Sequence, residues 1–430
     1  MGKEEYLDIV RTQIRSEKAG NTVVEEINAH MEDQTEALEQ EGMSRQKAEE
    51  TAVREMGDPV ETGVALDRIH RPRMEWRFVA LILGLSLFSV VLQGILGARV
   101  MQVAFSLVGC GVMFLICYMD YSVIGKYART ITVGFLLLFF VLEFFFAANV
   151  NGARQFIDAG FFNISLWCLV FLYLPLYGAF LYSLRNGGYK NLAVGIVFAV
   201  LPVMMVLWMP SVSLALCLAF VHLIMLSAAV RMNWFRVQRV GTLLVLWGAA
   251  VVLPVCILAG VYFSNALAGY QINRLQNFFA LEDMAKRTFA LQYVPNGAFD
   301  LQSGTDYVIA YLVQYYGMFA GIVLVALLVF LVFKIFRISI NQKNQLGRMM
   351  GMGCGLVFGM QILGYTLQNF GFMLATSVYL PLFSASGSGT MVSYCLLGVV
   401  LSIYRYQNVI PSAPHWKKKS LTGGTYAKES

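Results

Sequence analysis

Two hydrophobic patterns divide the chain. Up to about residue 75, apolar residues stand singly at helical spacing among charges; beyond it they run together in long blocks. In the first part, Tyr6, Leu7, Val10 and Ile14 predict a helix over 4–18. A second is expected over 22–41, ending at Gly42. Ser44 opens a third, which ends at Gly57, a glycine in the place that commonly follows a helix. Asp58 caps a fourth, with Pro59 at its first position and Glu61 three residues on. The stretch 42–59, GMSRQKAEETAVREMGDP, resembles the helical prefix found before some bacterial permease-type proteins.

The second part predicts ten membrane-crossing helices, each needing about 20 apolar residues. They fall at 77–97, 101–119, 128–148, 165–184, 191–208, 212–230, 241–263, 307–334, 348–372 and 388–406. One set of connecting loops carries Lys126, Arg129, Arg185, Lys190, Arg231, Arg236, Arg239, Lys334, Arg337, Lys343 and Arg348; the other carries Arg99, Arg154, Arg274, Lys286 and Arg287. The richer set belongs in the cytoplasm. An even number of spans then puts both termini inside.

Composition supports this reading. Of 430 residues, 58% are hydrophobic and only 13% charged, against roughly 25% charged in soluble domains. A soluble globule, a disordered chain and a coiled coil are excluded. Residues 1–75 hold 10 basic and 18 acidic side chains, a net of −8; the rest hold 22 and 8, a net of +14. The expected class is therefore an all-α polytopic membrane protein: an acidic cytoplasmic helical domain (1–75), a ten-span membrane domain (76–406) with a large outer loop between spans 7 and 8, and a basic tail (407–430). The charged N-terminus is unlike a signal peptide. All seven cysteines lie in apolar stretches and read as packing residues.

Three outer segments, 149–164, 264–306 and 373–387, interrupt the spans with longer or unusual sequence. Non-helical backbone near membrane depth survives only where protein or a watery cavity satisfies it, so a site is sought there. No phosphate-binding glycine loop, dinucleotide fingerprint, zinc-protease motif or nucleophile elbow occurs. His222, alone in an apolar span, reads as a packed histidine, and His30 and His70 as surface residues. Glu143 sits inside the third span, where a carboxylate is a functional suspect or a structural partner for Arg154. Asp306 stands at the outer boundary beside the apolar wall, as a site carboxylate or a helix cap.

Four outer segments carry a resemblance. Residues 151–165, NGARQFIDAGFFNIS, are similar to the N-G-A-R-R-W-I signature of the SEDS family, the shape, elongation, division and sporulation proteins of the RodA, FtsW and SpoVE type. Residues 268–279, AGYQINRLQNFF, resemble its P-Y-Q-x-x-R-I segment; 304–307, GTDY, its H-T-D-F; and 380–389, LPLFSASGSG, its L-P-F-x-S-Y-G-G-S-S. The motifs keep the family's order over about residues 77–406. Departures accompany them. Leu166 stands where the family has a glutamate after Ser165, Ser211 replaces an acid, Gly304 replaces a histidine, and Gln314 and Tyr315 occupy the region of a second acid pair.

The resemblance implies a peptidoglycan glycosyltransferase that polymerises lipid II, a disaccharide-peptide on undecaprenyl pyrophosphate, at the outer face of the cytoplasmic membrane. It implies a class B penicillin-binding protein as partner, with membrane lipids around it and no nucleic acid. It puts the essential carboxylate on Asp306, as a base or as the ligand of a divalent cation, Mg or Mn. Arg154, Arg274, Lys286 and Arg287 are the outer cations available to a pyrophosphate. Thr305, Ser384 and Ser388 fall in the motifs as further substrate contacts. The rival readings are a flippase for lipid-linked precursors and a catalytically reduced scaffold that recruits cell-wall enzymes.

Overall fold

The computed structural model describes residues 1–95, 100–150, 153–158, 160, 163–209, 211–263, 307–370 and 378–409. The chain divides into two units, one gathering Met1–Glu75 with Gln342–Gln345 and the chain from Ile403 on, the other holding the remaining residues.

The first unit has four helices, α1 (Lys3–Gln13), α2 (Glu17–Gln40), α3 (Arg45–Glu55) and α4 (Pro59–His70). Helix α1 stops short of the expected residue 18 because Ser16 caps α2, its side chain accepting from the Ala19 N–H. The intervening Arg15 N–H donates to the Asp67 carboxylate at 3.0 Å. Asp58 caps α4 as expected, accepting from the N–H groups of Val60 and Glu61 at 2.7 and 2.9 Å. Gly57 takes a φ of 79°, the left-handed turn its position suggested.

The core of this unit contains Tyr6, Val10, Ile14, Ala19, Val23, Met31 and Val53, and it also takes in Val409, with Tyr406 packed alongside. Hydrogen bonds that hold that returning segment include His70 Nδ1 with the Asn408 carbonyl at 3.0 Å, and the Arg73 N–H to the Arg405 carbonyl at 3.2 Å. His70, expected at the surface, is therefore half-buried and bonded.

In the second unit, eight described helices are long and apolar enough to cross a membrane: Trp76–Ile95, Ala128–Phe146, Leu166–Ser183, Tyr189–Trp208, Val212–Arg231, Met318–Ile340, Gln345–Asn369 and Gly387–Arg405. Shorter apolar helices, Gln102–Tyr118 and Arg239–Val252, fall at the second and seventh expected positions. Small residues let helices close up. A Cβ on Gly178 would meet the Met349 carbonyl at 3.0 Å, and one on Gly353 would meet the Leu174 carbonyl at 3.0 Å, so each glycine admits the other helix's backbone. Pro202, inside Tyr189–Trp208, cannot donate to the Phe198 carbonyl four residues earlier. The Tyr173 hydroxyl supplies that missing donor at 2.7 Å.

One expected span is divided. The run 307–334 forms a nine-residue helix, Val308–Tyr316, and a separate helix, Met318–Ile340. Gly317 between them has a φ of 84°, which breaks the helix where only glycine turns freely.

Candidate functional site

The first outer motif folds as an antiparallel sheet of three strands, β1 (Ala148–Val150), β2 (Ala153–Asp158) and β3 (Asn163–Ser165), in the order β1-β2-β3. This sheet is a local departure from the all-helical expectation. Val150 pairs with Ala153, so Asn151 and Gly152 stand between paired residues, and Asn-Gly is the dipeptide favoured by two-residue hairpin connections. Arg154 follows on β2, opposite Asn149; only its backbone is described. Asp158 serves the turn after β2, its carboxylate accepting from the Gly160 N–H at 2.8 Å. The Gln155 amide donates to the Met209 carbonyl at 3.0 Å and ties the hairpin to the end of Tyr189–Trp208.

The fourth motif is a buried, non-helical loop ahead of Gly387–Arg405. Several of its backbone groups are met by protein, as non-helical backbone near membrane depth needs. The Leu382 carbonyl accepts from the Ser89 hydroxyl at 2.5 Å, the Phe383 carbonyl from the Gln93 amide, and the Ser384 carbonyl from the Gln102 amide at 3.3 Å. Tyr379 donates its N–H to Gln361 at 3.1 Å. Leu382 itself is left-handed, with a φ of 69°.

The two motifs meet. The Ser165 N–H, at the end of β3, donates to the Ser388 hydroxyl at 2.9 Å. Ser388 is thus an acceptor at the junction. Ser384, expected to face substrate, is turned into its own loop: its hydroxyl accepts the Leu380 N–H at 2.8 Å, and the residue is buried. A segment that is itself neither sheet nor helix needs such acceptors, and Ser384 supplies one.

The helix that follows Asp306 in sequence is fixed at its start. The Val308 N–H donates to the Tyr365 hydroxyl at 2.9 Å and the Ala310 N–H to Asn369 Oδ1 at 3.1 Å, satisfying donors that a helix's first turn leaves open. Asp306, Thr305, Arg274, Lys286 and Arg287 lie outside the described residues. Among the described residues no group of three or more His, Cys, Asp or Glu is placed to hold a metal. Glu143 is buried in a π-helical turn, Leu142–Phe146, and its Oε1 has no hydrogen-bond partner among the described residues. His222 is packed as expected, its Nδ1 bonded to the Leu218 carbonyl at 2.7 Å and its ring 4.7 Å from that of Tyr177.

This arrangement agrees with what the chain matches. Residues 78–409 match the FtsW/RodA/SpoVE family of cell cycle proteins. The chain belongs to this family. A probable peptidoglycan glycosyltransferase FtsW of Trichlorobacter lovleyi is 24% identical over 334 residues, covering 70% of this chain and 82% of that protein. Among solved structures, a chain from a peptidoglycan synthase complex, described as coordinating polymerization and crosslinking, superposes with a TM-score of 0.63 at 21% identity, over 78% of this chain and 99% of that one. The rod-shape-determining protein RodA of Thermus thermophilus gives 0.55 at 19% identity, over 78% and 97%. At these identities the structural likeness is one of fold.

Within the FtsW/RodA/SpoVE fold, Leu166, which replaces the family's glutamate, is fully buried. Sequence reasoning missed Ser89, Gln93 and Gln102, the donors that hold the loop. Their signal was available: glutamine inside an apolar span is costly unless it has a partner to find.

Proposed function

We propose that the chain is a peptidoglycan glycosyltransferase that polymerises lipid II at the outer face of the cytoplasmic membrane. The observation that supports this reading is the hydrogen bond from Ser165 to Ser388, which joins the first and fourth family motifs in a chain of this family. In the reaction, the acceptor sugar's hydroxyl oxygen bonds to the donor's anomeric carbon. The bond from that carbon to the pyrophosphate oxygen breaks, undecaprenyl pyrophosphate leaves, and the hydroxyl proton passes to a base.

Asp306 is our candidate for that base. General-base assistance typically contributes about 10²–10⁴-fold. Arg154, on the hairpin, is the candidate to hold the pyrophosphate through its planar fork, with Arg274, Lys286 and Arg287 as further cations and Thr305 and Ser388 as polar contacts. If a divalent cation, Mg or Mn, takes part, Asp306 is its ligand and the ion would offset charge on the leaving group.

In this reading both termini are cytoplasmic, residues 1–75 form a docking domain, and a class B penicillin-binding protein cross-links the product. Burial of Leu166 at the family's glutamate position favours a second reading, a reduced scaffold that recruits cell-wall enzymes. Purified protein incubated with labelled lipid II separates the two: glycan strands support the polymerase, and their absence from folded protein supports the scaffold.

A further inference from the structure

The buried loop that begins the last helix is held from outside itself, and the pattern of donors is ordered. Three consecutive carbonyls, of Leu382, Phe383 and Ser384, accept from Ser89, Gln93 and Gln102. Ser89 and Gln93 lie one turn apart near the end of Trp76–Ile95, and Gln102 lies near the start of the next helix. Gln102 also donates to the Thr390 hydroxyl at 2.9 Å, so one amide grips both the loop and the first turn of Gly387–Arg405. The ring of Phe88 meets that of Phe383 at 5.5 Å, edge on, and closes the contact.

Inside the loop the Leu380 carbonyl accepts the N–H groups of both Phe383 and Ser384 at 3.0 Å, and Ser384 returns its hydroxyl to the Leu380 N–H. The non-glycine residue Leu382 is held left-handed, a conformation that persists only where the surroundings impose it. Beyond this wired segment comes Ser388, the acceptor for the Ser165 N–H.

We infer that Gln93 and Gln102 are positioning residues that act through the loop's carbonyls to set Ser388 against the hairpin that carries Arg154, and so fix the geometry with which the outer site grips its substrate. The inference rests on the glycosyltransferase reading for what the site binds. The placement of Ser388 does not depend on it. Both glutamines donate to backbone carbonyls of the loop, and Gln102 also to the Thr390 hydroxyl.

The test uses the full-length protein in lipid nanodiscs and two independent readouts. Gln102→Leu removes the donor while keeping the apolar bulk; Gln102→His keeps a donor as the rescue variant. With lipid II, Gln102→Leu should raise KM about five-fold, the effect of about one net hydrogen bond, and change kcat by less than about two-fold, with Gln102→His closer to wild type. A merely structural role would lower the yield of folded protein and leave KM alone. The second readout is oxidative cross-linking of a Ser165→Cys, Ser388→Cys pair, read by mass spectrometry. Adding Gln102→Leu should lower the cross-linked fraction at least about three-fold. An unchanged KM and an unchanged cross-link overturn the positioning role. A wild-type protein that makes no glycan overturns the glycosyltransferase reading instead, while the cross-link still tests the loop's hold on Ser388.

Discussion

Ser165 and Ser388, 223 positions apart, share one hydrogen bond of 2.9 Å in which the backbone of the first donates to the side chain of the second. Ser165 closes the hairpin that bears Arg154, and Ser388 lies in the first turn of the last helix. Ser165 is buried, so loss of the acceptor leaves its N–H without its protein partner. Ser388→Ala should cost about 1–3 kcal/mol of stability. Ser388→Thr keeps the oxygen and should cost less. Thermal unfolding in detergent compares the two; equal midpoints for both variants and wild type would show that the bond is idle.

The four-helix unit is completed by the chain's own returning segment. Val409 is buried in its core beside Tyr6 and Val10. Val409→Asp places an unpaired charge there and should destabilise the unit by about 3 kcal/mol. Hydrogen exchange should then lose protection in α1 and α2, while amides of the helix Gln345–Asn369 exchange as before. Unaltered protection in α1 would mean that the segment merely rests on the core.

In the proposed reading Arg154 holds the pyrophosphate, since a guanidinium can grip two oxygens at once. Lysine keeps the charge and loses the fork. Arg154→Lys should lower kcat/KM for lipid II about ten- to a hundredfold, the range of a lost charged hydrogen bond. An unchanged kcat/KM in folded protein assigns the phosphate to another cation.

Orientation rests on the distribution of Lys and Arg among the loops. In intact cells an impermeant thiol reagent should label Ser303→Cys and leave Ser44→Cys unlabelled. The opposite result would place the whole site on the wrong side of the membrane.

Much of this architecture is written in local pattern. The cap at Asp58, the glycine turn at Gly57 and the long apolar helices depend on neighbours in sequence, and were read from it; the Ser16 cap is equally local and was passed over inside the helix expected over 4–18. What escaped reading depends on distance along the chain. Gly317 looked like one more small residue in an apolar run, yet its φ of 84° divides that run into two helices. The sheet was not expected, although Asn-Gly at 151–152 is a common hairpin dipeptide; its third strand needs Ser165 to pair with Phe156. Ser384 resembled a substrate contact because hydroxyl chemistry is visible in sequence and side-chain direction is not. Val409 gave no sign that it would join a core some 400 residues back.

The account stands most directly on one carboxylate. Asp306→Asn preserves size and hydrogen bonding while removing the charge that a base, or a ligand for a cation, must carry. An ordinary aspartate has a pKa of about 3.9, so the residue carries its charge at neutral pH. The measurement is glycan-strand formation from lipid II by purified wild-type and Asp306→Asn protein of equal thermal stability. The account predicts strands from the wild type and at least about a hundredfold fewer from the variant. Wild-type rates from Asp306→Asn, with Asp283→Asn or Asp300→Asn inactive in its place, would contradict it.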